Sequence, residues 1–162
     1  MATPGQAATA TGIHHIGVSV ADLDHALSFW QAFLGVPARW RTRLDRPYLG
    51  RHVGYPGIAI DAAFVDLPGG GTLELLDYRW PDKTPLPAAT ANPGNVHLCL
   101  LVADARAAWA HAIACGAHAV APDGPVTVDA GPNLGAQVAY LRIHDDVTLE
   151  FYQPRQPEEV PR

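Results

Sequence analysis

The feature that most constrains this chain of 162 residues is an internal repeat of about 80 residues, in which the same four residue types recur in the same order. The four are His15, Asp22, Gly35 and Glu74 in the first copy, and His97, Asp104, Gly116 and Glu150 in the second. The separation from His to Asp is seven residues in both copies. The separation from His to Gly is 20 and 19 residues, and that from His to Glu is 59 and 53. Loops absorb such differences, so the repeat predicts two modules of similar structure.

Each copy has the hydrophobic pattern of a strand, a helix and three further strands. The first copy predicts strands over 13–20, 38–44, 58–67 and 72–78, and a helix over 23–34. The second predicts strands over 96–102, 117–121, 137–143 and 147–153, and a helix over 105–115. The aspartate before each helix is a candidate N-cap, and the glycine after it is typical of a helix end. The sequence therefore predicts an α+β fold of two paired βαβββ modules.

The predicted domain spans residues 12–153, with module one at 12–78 and module two at 95–153. Residues 79–94 between them are polar and rich in proline, which is typical of a linker. We expect residues 1–11 to be a disordered N-terminus and residues 154–162 to be a flexible tail.

Composition excludes several classes of protein. Hydrophobic residues make up 48% and charged residues 17%, which excludes a wholly disordered chain. The formal charge of −5 argues against nucleic-acid binding, because such binding needs a basic surface. The chain has neither an apolar run of membrane-spanning length nor the pattern of a signal peptide. We therefore expect a cytoplasmic protein that binds neither nucleic acid nor a membrane.

The glutamates are the chemically informative residues. The chain has four, and two of these, Glu158 and Glu159, lie in the predicted tail. Glu74 and Glu150 both lie within apolar strands, where an ionised carboxylate is costly unless it is paired or bound to a metal.

His15 and His97 present imidazoles from equally apolar strands. Two histidines and two carboxylates suit an octahedral divalent ion that keeps two positions for water or substrate. The pattern predicts that His15, Glu74, His97 and Glu150 bind one divalent metal ion per site, with Zn, Ni, Co, Mn and Fe all chemically suitable. A single histidine or glutamate on a strand is usually structural, so it is the duplication that favours a metal site.

Other residues near these positions have more than one interpretation. His14 has Val96 as its counterpart, and we predict an outward-facing or supporting role for it. Cys99 shares a strand face with His97 and is predicted to be a small buried residue. Arg39, Arg41 and Arg43 share one face of a strand, where they form either a solvated surface or a clamp for an anionic substrate. Residues 52–57 are predicted to form a loop that could cover the cleft.

The sequence resembles the vicinal oxygen chelate superfamily, which includes glyoxalase I, methylmalonyl-CoA epimerase, extradiol dioxygenases and antibiotic-resistance proteins. The resemblance covers residues 12–153 and rests on four segments, each with one predicted ligand. They are IHHIGVSVADLDHALSFWQAFLGV, GTLELLDY, NVHLCLLVADARAAW and DDVTLEFYQP. The resemblance implies that the paired modules form a curved mixed sheet around a metal cleft.

A full His-Glu-His-Glu set is similar to that of the glyoxalase and epimerase branch of this superfamily. Extradiol dioxygenases would leave the Glu74 position without a ligand, and bleomycin-binding relatives lack the metal set. Glutathione-dependent glyoxalases have an arginine where this chain has Ser19, and bacterial relatives have a lysine where it has Asn133. The resemblance therefore implies a thiol other than glutathione, or none.

These observations predict a metal-dependent isomerase, epimerase or lyase acting on a small substrate with vicinal oxygens. Glu74 or Glu150 would be the catalytic base, and the metal would stabilise the resulting enediolate. We also expect a homodimer. Three alternatives stay open: a glyoxalase-type lyase using another thiol, a non-catalytic small-molecule resistance protein, and an Fe(II) extradiol-type dioxygenase.

Overall fold

Both sheets of the protein are organised by parallel pairing between the first and the last long strand of each repeat. The computed structural model describes residues 10–80, 82–87 and 89–156. In the first repeat the strands are β1 (Ile16–Ser19), β2 (Trp40–Leu44), β3 (Ile60–Asp66) and β4 (Thr72–Tyr78). In the second they are β5 (His97–Leu101), β6 (His118–Ala119), β7 (Val126–Thr127), β8 (Gln137–Arg142) and β9 (Thr148–Gln153). The helices are α1 (Leu23–Leu34), α2 (Pro47–Val53) and α3 (Ala105–Ala114).

The strand order is β1-β4-β3-β2 in the first sheet and β5-β9-β8-β6 in the second, with β7 also pairing with β8. The pairs β1–β4 and β5–β9 are parallel, whereas the other pairs are antiparallel. The predicted α+β fold is therefore confirmed as two mixed sheets of four and five strands. Strand β7 was not predicted, because two residues are too few for an alternating pattern.

The chain packs as two units, and helix α1 belongs to the second of them although it lies in the first repeat of the sequence. Of the described residues, the first unit contains 10–23 and 37–80, and the second contains 24–36, 82–87 and 89–156. Phe33 of α1 stacks on Phe151 of β9 with ring centroids 5.6 Å apart. The carbonyl of Phe33 also lies 3.0 Å from Nε2 of His111 in α3. Strand and helix patterns give no information on such a partner.

Helix α2 was not predicted, and it covers one end of the first sheet. Leu49 is buried in a cluster with Ile58, Ile60 and Ala62. After α2 the backbone turns back and passes close to Gly50. A Cβ atom on Gly50 would lie 2.8 Å from the carbonyl oxygen of Tyr55, so this position requires glycine. The predicted loop over 52–57 is therefore partly helical, because His52 and Val53 end α2.

The predicted connecting segments contain no regular structure where they are described. Among the described residues of the 79–94 linker there is neither a helix nor a strand. Most of the predicted N-terminal segment (1–11) and C-terminal tail (154–162) is outside the described residues, because residues 1–9 and 157–162 are not described. No helix in the described part of the chain has both the length and the apolar character needed to cross a membrane.

The side chain of His144 joins the turn before β9 to helix α1. The indole N–H of Trp30 donates to Nε2 of His144 at 2.9 Å, and Nδ1 of His144 lies 3.3 Å from a carboxylate oxygen of Asp145. Because an indole nitrogen can only donate, Nε2 must be the unprotonated nitrogen. Burial lowers the pKa of His144, the neighbouring Asp145 opposes that shift, and His25 on α1 adds to it.

Acidification is therefore expected to destabilise the fold through His144. Below pH 6.5, the ordinary pKa of histidine, the unfolded chain binds a proton that the folded chain excludes. Stability is lost as the pH falls from 6.5 towards the lower folded-state pKa, by at most about 1.4 kcal/mol per pH unit for one proton. Free energies of unfolding, measured by urea titration from pH 7.5 to 5.0, should show a shallower pH dependence in His144→Gln than in the wild type. Equal slopes would contradict this role of His144.

Candidate metal centre

The register of the parallel strands places a histidine and a glutamate on the same face of each sheet. In the first sheet Gly17 of β1 lies opposite Glu74 of β4. In the second sheet Cys99 of β5 lies opposite Glu150 of β9. Gly17 and Cys99 each follow the predicted histidine by two residues, and side chains two apart on a strand share a face. The histidine and glutamate are thus diagonal neighbours in both repeats.

The resulting pairs have the same geometry. Nε2 of His15 lies 3.0 Å from Oε2 of Glu74, and Nε2 of His97 lies 3.0 Å from Oε2 of Glu150. The glutamate side chains are 15% and 17% exposed, whereas the histidines are 36% and 43% exposed. The structure therefore brings the four predicted residues together as two equivalent pairs, each with a mostly buried carboxylate and an accessible imidazole.

Each pair has the donor chemistry and the spacing that a divalent ion requires. Imidazole nitrogen and carboxylate oxygen bind such ions at about 2.1 Å, so two of these donors at right angles lie about 3.0 Å apart. Among the described residues there is no group of three or more histidine, cysteine, aspartate or glutamate side chains that could hold a metal ion. The pairs fit a metal ion, and their union into one four-ligand centre stays a prediction.

An aromatic ring beside each pair was missed in the sequence. Phe64 lies directly opposite Glu74, and Tyr140 lies directly opposite Glu150. The ring centroid of Phe64 is 6.0 Å from that of His15, and that of Tyr140 is 5.3 Å from that of His97. Both aromatic residues precede their glutamate by ten positions, so the repeat did contain a signal for them.

The second pair has proton donors that the first pair lacks. Partial burial, the charge of Glu150 and a hydrogen bond to it raise the pKa of Cys99 to about 11. Burial and Glu150 also raise the pKa of Tyr140. Both groups are therefore protonated near neutral pH beside the Glu150 carboxylate. Gly17 and Phe64 stand at the equivalent positions of the first pair.

The prediction that Cys99 is a buried residue was wrong. Strand β5 lies at the edge of its sheet, so Cys99 is exposed on the face that holds His97 and Glu150. A cysteine in an apolar strand is usually buried, and the sequence does not show which strands lie at an edge.

His14 contacts the first pair, and the supporting role suggested by the sequence stays a prediction. Nδ1 of His14 lies 2.7 Å from Nδ1 of His15, so one of these nitrogens donates to the other. When Nδ1 of His15 is the donor, its Nε2 is unprotonated, and the lone pair of Nε2 is available to a metal ion beside Glu74. Partners of this kind set the tautomer and orientation of metal-binding histidines.

The arginines of β2 make ion pairs on the surface of the first sheet. Nε of Arg39 lies 3.3 Å from a carboxylate oxygen of Asp66, and a guanidinium nitrogen of Arg43 lies 3.9 Å from Asp61. These contacts favour the solvated-surface interpretation over a substrate clamp.

A family model described as the Glyoxalase/Bleomycin resistance protein/Dioxygenase superfamily matches residues 14–140. The chain belongs to this superfamily, as the segments around the predicted ligands indicated.

The chain is also similar to individual known proteins. A curated protein named 2-epi-5-epi-valiolone epimerase, from Actinomyces sp., is 28% identical over 145 residues, which cover 88% of this chain and 79% of that protein. A glyoxalase family protein from Bacillus cereus has the same fold, with a TM-score of 0.76 and 18% identity over 96% of this chain and all of that one. A glyoxalase I mutant from Zea mays matches with a TM-score of 0.62 and 16% identity, over 88% of this chain and 45% of that one.

Replacement of His14 tests its supporting role. We expect His14→Val, which copies Val96 of the second repeat, to weaken Co²⁺ binding by roughly 10- to 100-fold, the usual effect of losing such a partner. His14→Asn keeps a hydrogen-bonding side chain and should retain much of the affinity. The measurement is calorimetric titration of the metal-free protein, with His118→Val at an exposed position of β6 as the control. An unchanged affinity in His14→Val would exclude the role.

Proposed function

We propose that this protein is a metal-dependent epimerase or isomerase that moves a proton at a carbon beside two neighbouring oxygens of a small substrate. The observation that carries the proposal is the duplicated pair of His and Glu side chains with one spacing of 3.0 Å. Membership of the superfamily and similarity to a protein named as an epimerase support it.

We propose that His15, Glu74, His97 and Glu150 together hold one divalent ion. The ion supplies Lewis-acid stabilisation of the negative charge that develops on a substrate oxygen when the adjacent carbon loses its proton. Imidazoles bind metal ions in their neutral form. The hydrogen bond between His14 and His15 would orient the ring of His15 for binding.

Glu150 is our proposed base. Its carboxylate accepts the proton from the substrate carbon, and the S–H of Cys99 and the O–H of Tyr140 lie on the same face of the sheet. Both groups are protonated near neutral pH and can donate hydrogen bonds to this carboxylate. Glu74 is the second acid–base group, because epimerisation returns a proton to the opposite side of the carbon. We propose a homodimer as the active form, since symmetric dimers are the commonest soluble oligomers.

The proposal predicts exchange of a substrate proton with solvent. Incubation with a panel of α-hydroxyketones in heavy water, under argon and with Zn²⁺ as a redox-inert ion, should place deuterium on the carbon beside the chelating oxygens. Glu150→Gln should slow this exchange by roughly 10²- to 10⁴-fold, because it removes the proton acceptor and keeps a similar shape. Substrate binding should change much less.

Mass spectrometry of the recovered substrate measures the exchange, and Asp129→Asn, at an exposed carboxylate, is the matched control. Turnover only with iron and oxygen would contradict the proposal and favour a dioxygenase. Turnover only with an added thiol would favour a glyoxalase-type lyase. Binding without any turnover, and unaffected by metal removal, would favour a resistance protein.

A further inference from the structure

The two His–Glu pairs differ in what lies beside them. In the first unit the ring of Trp40 packs against Phe64, with centroids 5.0 Å apart. In the second unit, Val120 lies beside Tyr140, in the place that Trp40 takes beside Phe64. The N–H of Val120 donates to the carbonyl of Tyr140 at 3.2 Å. A small residue thus replaces a large one next to the second aromatic ring. A cavity of about 330 Å³ lies here, bordered by Val120, Tyr140 and Glu150.

The register of the second sheet explains why the walls of this cavity are aliphatic. Val138 and Tyr140 share a face of β8, and Tyr140 lies opposite Glu150 on β9. On the other side of β8, Val126 of β7 lies opposite Val138. Both valines line the cavity. The aliphatic surface therefore begins two residues along β8 from Tyr140, the residue opposite Glu150, at roughly 7 Å from Tyr140.

The chemistry of these walls selects the kind of group that can be held there. Glu150 and Tyr140 are the lining residues with polar side chains, and the others are Val, Ala and Gly. Aliphatic walls offer no hydrogen-bond partner to a charged or hydroxyl group that is pressed against them. Val120 and Val126 are 50% and 54% exposed, so a hydrocarbon group that covers them removes apolar surface from water.

We propose that the substrate carries an uncharged hydrocarbon group, attached beside the carbon that Glu150 deprotonates, and that the cavity holds this group. This inference rests on the proposed function and adds the substrate class to it. Val126 and Val138 are the residues that determine this specificity.

Alkyl hydroxamic acids provide a test that needs no substrate, because they chelate a metal through two neighbouring oxygens and carry a tail of chosen length. Calorimetry with the Co²⁺-loaded protein should show tighter binding from acetohydroxamate to hexanohydroxamate, by roughly threefold for each added methylene. The NMR signals of the methyl groups of Val126 and Val138 should shift with the longer ligand only.

The variant for this test is the double substitution Val126→Thr with Val138→Thr, which keeps the shape of the walls and adds hydroxyl groups. It should lose most of the dependence on tail length and keep the affinity for acetohydroxamate. Val36→Thr makes the same change at a valine that is 43% exposed and does not line the cavity, and it should behave as the wild type.

The two proposals fail in different ways. If acetohydroxamate binds and a longer tail adds no affinity, the hydrocarbon subsite is refuted and the proposed function stands. If acetohydroxamate does not bind the metal-loaded protein, the proposed function fails and this inference fails with it. If the double variant changes the oligomeric state in sedimentation and tail length has no effect, the cavity is covered by a second copy and the subsite is refuted.

Discussion

Parallel pairing between the first and last long strands of each repeat is the constraint on which the rest of the site depends. It sets the register in which Glu74 lies opposite Gly17, and Glu150 lies opposite Cys99. A shift of one residue in the pairing register of β4 or β9 would turn its glutamate to the other face of the sheet. In both strands that other face is buried. The buried residues Leu75 and Phe151 that follow the two glutamates therefore hold the site in place.

Duplication gives two similar pairs, and divergence has made them chemically different. The first pair has an imidazole partner in His14 and an apolar ring in Phe64. The second pair has Cys99 and Tyr140, which are protonated beside Glu150, and an aliphatic cavity.

Much of this site could be predicted from the sequence, because its residues recur at matching separations and their strands have clear hydrophobic patterns. Phe64 and Tyr140 could also have been found, since each precedes its glutamate by ten residues. Helix α2 could not be predicted, because it is seven residues long and contains Gly50, which is unfavourable in helices. The packing of α1 within the second unit could not be predicted either. It depends on tertiary contacts such as that of Phe33 with Phe151, and the helical periodicity of the sequence does not identify the partner of a helix.

We propose that the two equivalent pairs together bind one ion. The most direct measurement is anomalous X-ray diffraction at the zinc edge from crystals grown with Zn²⁺. The account predicts one ion per site, at about 2.0–2.2 Å from Nε2 of His15 and His97 and from a carboxylate oxygen of Glu74 and Glu150, in one chain or across two copies. An ion bound by a single pair, or at neither pair, would contradict it.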